Sequence, residues 1–187
     1  MDVSEAIRTR RSHKMFGGVP IPDADLQHIL DLAIWAPNHK FTEPWRFTVV
    51  PHRSLEQLWQ AVHAAAHSEK ALTKLPKLHE IILSAGAAIA VRQVRSPDAP
   101  ERDREDYAAC ACAIQNLQLG AWERGWVSYW TTSAGFLGEN GPSGDTLRAF
   151  WRCEPGETII GVVLLGKAIL DMPAIRRHSA ASLSVWL

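Results

Sequence analysis

Three cations and a hydroxyl fall within five positions near the start of the chain: Arg10, Arg11, Ser12 and Lys14. Guanidinium groups match phosphate oxygens two bonds at a time, and a seryl hydroxyl adds a donor, so the cluster could grip a single phosphate. The same residues would also suit a solvated, charged turn at a helix end. Charge balance bears on the choice. The chain carries 20 basic and 20 acidic side chains, a formal net charge of zero. That balance excludes a broad cationic footprint for nucleic acid and an electrostatic membrane anchor, so any anion site is local.

A second stretch, WAPNHKFTEPWRF at residues 35–47, combines rigidity with flat apolar surface. Pro37 and Pro44 each remove a backbone donor and restrict the residue before them, so neither regular helix nor regular strand accounts for it. Trp35, Phe41, Trp45 and Phe47 suit an organic ring system, which needs an apolar slot with a few placed polar groups. Other patterns carry less. His63 and His67 are four apart on a predicted helix, a spacing that can bind a metal. They have no third ligand nearby and no glutamate between them, so they read as a polar helix face and no metal site is expected. GENGPSG (138–144) follows no strand-to-helix turn of a dinucleotide fold. Ser12, Ser128 and Ser133 sit in no nucleophile elbow. Cys110 and Cys112, two apart on a predicted helix, do not face one another, and Cys153 stands alone, a pattern of a reducing compartment without disulfides.

These residues need elements to hold them. At 187 residues the chain can bury a substantial core, and no repeat or linker divides it, so residues 1–187 are expected to form one domain. Apolar periodicity predicts helices over residues 2–9, over DADLQHILDLAIW, over SLEQLWQAVHAAAH from Ser54, and around KLHEIIL. The longest predicted helix runs from Asp103 to Arg124 and stops at Gly125. Its apolar stripe is Ala108, Ala111, Ile114, Leu117 and Ala121, widened by Tyr107, Cys110 and Leu119, which suits a core or a subunit interface. RFTVV (46–50), AAIAVRQV (87–94), WVSYWTT (126–132) and TIIGVVLLGKA (158–168) read as strands, the last apolar enough to be covered on both faces. RSPDAPERD and GENGPSGD read as loops, and TLRAFW as a turn or two of helix. The order predicts an α+β sandwich: a mostly antiparallel or mixed sheet flanked by helices. No segment approaches the ~18 to 20 apolar residues that span a bilayer, and the first residues lack the apolar core of a secretion signal. A cytoplasmic protein is expected. The tail from about residue 170 has its own basic pair and an apolar end, and is expected to reach a partner subunit.

With the elements in order, four motifs in register resemble the FMN-dependent nitroreductase family, in its small single-domain branch. They are RRSHKMF near the start, APNHKFTEPWRFTVV after the first amphipathic helix, GWVSYWTTS after the long alanine-rich helix, and ETIIGVVLLGKA before the basic tail. The resemblance implies an intertwined homodimer with FMN sites shared between subunits. It implies that Arg10, Arg11 and Ser12 hold the flavin phosphate and ribityl chain, with Lys14 nearer the pyrimidine side. Pro37, Asn38 and His39 would be lent by the second subunit to the ring, with Trp35 able to touch it from a helix end. Trp130, Thr131 and Thr132 would cover one ring face, and Arg176 or Arg177 would complete the phosphate site.

The activity so implied is a flavin oxidoreductase. Hydride would pass from NADH or NADPH through FMN to an electron-poor small molecule, of nitroaromatic or quinone type, by ping-pong exchange, with the flavin rather than a side chain bearing the chemistry. The sequence departs from the family pattern at two positions: Phe41 stands where many relatives carry asparagine, and Glu43 where many carry glutamine. Both are expected to face the substrate pocket. The alternative is a module that binds or sequesters FMN without nicotinamide-driven turnover, Trp35 and Phe41 closing access to the ring.

Overall fold

The computed structural model describes residues 2–132, 142–173 and 175–187. The first helix, α1 (Val3–Thr9), begins where the Asp2 carboxylate accepts from the Glu5 amide at 2.8 Å, satisfying one of the donors a helix start leaves free. Helix α2 (Asp23–Ala33) follows Pro22, with Asp23 and Asp25 in its first turn, where the helix dipole favours anions. Strand β1 (Trp45–Pro51) leads through a 3-10 turn into α3 (Leu55–Ala64), then the short α4 (Glu69–Leu72) and α5 (Leu75–Ser84). Strand β2 (Ala87–Val94), the long α6 (Pro100–Glu123), β3 (Val127–Thr131), α7 (Pro142–Phe150) and β4 (Glu157–Gly166) complete the order.

The four strands form one sheet in the order β1-β2-β4-β3, each neighbouring pair antiparallel. Period-two alternation sends the two sets of side chains to opposite cores. Ala88, Ala90, Val162 and Leu164 meet α3, α5 and α7 through Leu58, Ile82 and Leu147. Ala87, Ile89, Val163 and Leu165 meet α2 and α6 through Ile29, Ile114 and Leu117. Helices on both faces explain why β2 and β4 read as continuous apolar runs, and each fully buried Leu or Ile contributes roughly 1.5–3 kcal/mol. The segment after α1 runs beside the sheet edge: Ser12 bridges Ser128 in parallel, the His13 amide donates to the Ser128 carbonyl at 2.9 Å, and Phe16 bridges Ala168. The arginine cluster is thereby fixed against β3.

The structure corrects several expected boundaries. Helix α6 starts at Pro100, three residues early, because proline suits a first helical turn that needs no amide donor. The same reason turns the PSGD of the expected loop GENGPSGD into the start of α7; Ser133 and the glycine-rich residues before Pro142 lie outside the described residues. Helix α3 ends at Ala64, so His63 and His67 do not share a helical face. The buried side of α6 is Asp106, Ala109, Cys110, Ala113, Ile114, Leu117, Gln118 and Ala121, not the stripe through Ala108 and Ala111. Among the described residues no helix is long and apolar enough to cross a membrane.

Candidate functional site

Parallel pairing of Ser12 with Ser128 turns the end of α1 across the outer face of α6 and opens a cleft of about 690 Å³. Ile7, Arg10, Arg11, Ser12, Gln115 and Arg177 line it. Arg10 is half-buried there, and its Nε and Nη1 have no hydrogen-bond partner among the described residues. The Arg11 Nε is likewise unpartnered, while its Nη1 donates to the carbonyls of Arg8 and Arg10 at 2.6 and 2.9 Å. Burial, then the adjacent charges of Arg11 and Arg177, lower the pKa of Arg10. Guanidinium donors that line a cleft and meet no acceptor among the described residues suit an anion, because charge-assisted hydrogen bonds are roughly twice as strong as neutral ones. Phosphate fits: it offers several acceptor oxygens to a set of guanidinium forks and one hydroxyl.

Of the two candidate tail arginines, Arg177 faces the cleft, whereas Arg176 is exposed and outside its lining. Lys14 points elsewhere, its Nζ lying 4.7 Å from the centre of the Tyr129 ring, a cation–π contact. Trp130 packs against the α2/α6 core over Gly161, where any Cβ would overlap its Nε1; that indole nitrogen is buried and has no partner among the described residues. Thr131 is buried in β3, and Thr132 is exposed just past its end.

The proline-bounded loop is a separate unit in this chain. Pro37 and His39 are exposed and Asn38 is half-buried; Trp35 and Phe41 are 82% and 89% exposed, extreme for aromatic side chains. Lys40 and Phe41 have φ of 53° and Glu43 has φ of 42°. L-residues in the left-handed region cost roughly 1–2 kcal/mol each, so such a loop persists only where its surroundings over-determine it. Here the Asn38 Oδ1 accepts from the Glu43 amide at 3.0 Å, and the Arg46 Nη1 donates to the Glu43 carbonyl at 3.1 Å. Two consecutive carboxylates of α6 hold the rest. His39 Nδ1 and Glu105 Oε2 are 2.7 Å apart, and the Thr42 hydroxyl donates to Asp106 Oδ1 at 2.6 Å. The His39 hydrogen bond first, and nearby positive charge after it, lowers the pKa of Glu105.

The loop therefore meets α6 at Asp106, whereas the cationic cleft meets it at Gln115. Nine residues of helix separate the two by about 14 Å. The structure brings together Arg10, Arg11, Ser12 and Arg177; Pro37, Asn38, His39, Phe41 and Glu43 form the other group. Sequence reasoning missed Gln115, which an alanine-rich helix of ambiguous facing conceals, and the Glu105–Asp106 clasp. Cys110 carries no thiolate chemistry at neutral pH, because burial and then the neighbouring Asp106 charge push its pKa up to about 12.

Known proteins resemble this chain in sequence and in fold. The Bacillus subtilis (strain 168) protein YfhC, provisionally named an NAD(P)H nitroreductase, is 35% identical over 131 residues, which are 67% of this chain and 66% of its own length. A crystal structure of a nitroreductase-like family protein from Bacillus cereus superposes with a TM-score of 0.87 at 27% identity, covering 100% of this chain and 96% of that one. A nitroreductase with bound FMN from Bacteroides fragilis NCTC 9343 has the same fold at 24% identity, with a TM-score of 0.75 and full coverage of both chains. The sequence pattern of the nitroreductase family matches residues 7–167, from α1 through the end of β4, and the chain belongs to that family.

Proposed function

We propose that this protein is an FMN-dependent oxidoreductase that passes hydride from NADH or NADPH to an electron-poor acceptor of nitroaromatic or quinone type, by ping-pong exchange in a homodimer. The observation that carries this reading is the set of guanidinium donors of Arg10 and Arg11 that have no partner among the described residues, in a cleft that Ser12 and Arg177 also line; residues 10–12 fall inside the family match over 7–167. The FMN phosphate is the anion those donors lack. Flavin bound there would supply the hydride chemistry. The chain's own work is then to fix one end of that cofactor by charge, flank the other end with a rigid loop, and keep water from the ring.

Residues 1–187 are read as one domain. Its loop and its cationic cleft, which meet α6 at points about 14 Å apart, are read as two halves of a site that a second copy completes. Helix α6 offers the means. Tyr107, Ala108, Cys112 and Gln115 are exposed along one face, with Ala111 and Leu119 half-buried beside them. Small residues let two helices approach closely, and a two-fold axis beside Ala111 would set the second α6 antiparallel, bringing the loop of one copy to the cleft of the other. The exposed tail, with Leu183, Val185 and Trp186 all at least 75% accessible, gives further apolar surface for that partner to cover.

The test is optical. Purified protein should be yellow with releasable FMN, and anaerobic NADH or NADPH should bleach it. A colourless protein that ignores added FMN overturns the proposal; a yellow one that neither nucleotide bleaches is a flavin-sequestering module instead.

A further inference from the structure

Asp106 is 3% exposed, yet it projects from α6 among Ala109, Cys110 and Ala113. A carboxylate in such a place is a poor choice for stability alone, since well-packed apolar residues commonly serve as well or better. Its Oδ1 accepts from the Thr42 hydroxyl, and Thr42 stands between the strained Phe41 and Glu43. The Thr42 amide also donates to the His39 carbonyl at 3.3 Å. These fixed points flank Phe41, whose ring lies almost wholly in solvent. Strained backbone and an exposed aromatic would each relax if the loop were free to do so.

We propose that Asp106 is a positioning residue, holding the 38–43 loop through Thr42 so that Phe41 stands out as a flat wall for a planar, electron-poor aromatic acceptor. This rests on the function proposed above, because the acceptor must lie beside the ring that the loop flanks. It also goes further, assigning the acceptor class to stacking on Phe41 and the loop's shape to a buried carboxylate with no part in hydride transfer. Edge and face interactions between aromatic rings favour electron-poor partners on an electron-rich phenyl face.

Thr42→Val keeps shape and removes the donor; Thr42→Ser restores it; Asp106→Asn keeps an acceptor on the same side chain. Amide hydrogen exchange of the peptide 36–47 in the purified protein should quicken about tenfold in Thr42→Val and return near the wild-type rate in Thr42→Ser and Asp106→Asn. In steady-state assays Thr42→Val should retain its bound flavin and raise KM for menadione about tenfold at little-changed kcat. Ferricyanide, which accepts electrons without stacking, should keep its KM. Unchanged exchange in Thr42→Val overturns the clasp. Faster exchange with an unchanged menadione KM, or an equal rise for ferricyanide, overturns the role of the loop in holding the acceptor. A wild-type protein without flavin removes the proposed function by itself, while the exchange rates still decide whether Thr42 and Asp106 fix the loop.

Discussion

Arg10 occupies an uncomfortable place for a cation: half-buried, beside Arg11 and Arg177, with two guanidinium nitrogens unbonded among the described residues. Its lowered pKa records the same discomfort, with desolvation as the larger cause. Arg10→Ala should therefore separate binding from folding. One charge-assisted contact to phosphate contributes about 1.5–3 kcal/mol, so the variant should bind FMN about 10- to 150-fold more weakly by fluorescence titration. The Tm of its apoprotein should be unchanged or higher, because a crowded charge has gone. Arg176→Ala should shift FMN affinity by less than about threefold, since that side chain lies outside the cleft lining. That Arg10, Arg11 and Ser12 lie side by side was legible because they are consecutive; that Lys14 turns from them to the Tyr129 ring was not. The choice of Arg177 over Arg176 was not, as the tail has no periodicity to say which way a residue points.

At the scale of elements, the strands were readable for a physical reason: a sheet covered on both faces writes itself as an unbroken apolar run. The facing of α6 was not readable. Alanine occurs on all sides of that helix, and two polar residues sit on its buried side because each is satisfied there, Asp106 by Thr42 and Gln118 by the Ser128 hydroxyl at 3.1 Å. Binary patterning fails where buried polar groups are paired. The sheet itself makes a close approach at Gly161 on β4, whose missing side chain is the space filled by the Trp130 indole. Gly161→Ala should cost about 1–3 kcal/mol by overpacking, seen as a lower Tm together with altered Trp fluorescence. The start of α6 carries an acid-sensitive tie. Asp103 takes bonds from Arg95 Nε at 2.8 Å and from the Ser96 amide at 2.8 Å, which hold its pKa below the ordinary value. A carboxylate with a depressed folded pKa adds stability that is complete above the unfolded value and fades as pH falls through the folded one. Asp103→Asn should thus lower stability at pH 7, and its deficit against wild type should shrink below about pH 4 in denaturant melts at both pH values.

The whole molecule is where a single chain says least about itself. The family resemblance implied that a second subunit lends the loop to the arginines' site, and the separation of the two along α6 appears only once the helix has a length and a face. In the proposed function a second copy completes each site, the loop of one serving the cleft of the other. Ala111→Arg, placing a charge on the exposed face of α6, should yield a monomer by sedimentation that has also lost most of its flavin; a monomer with full flavin content would refute the shared site. At its narrowest, the proposed function is a guanidinium cluster that holds the phosphate of a flavin. Titrating the apoprotein with FMN and with riboflavin, which shares the ring and ribityl chain but lacks the phosphate, isolates that claim by flavin fluorescence quenching. FMN should bind at least tenfold more tightly than riboflavin to the wild-type protein, and Arg10→Ala should close most of the gap. Equal affinity of the wild-type protein for the two flavins would contradict the account.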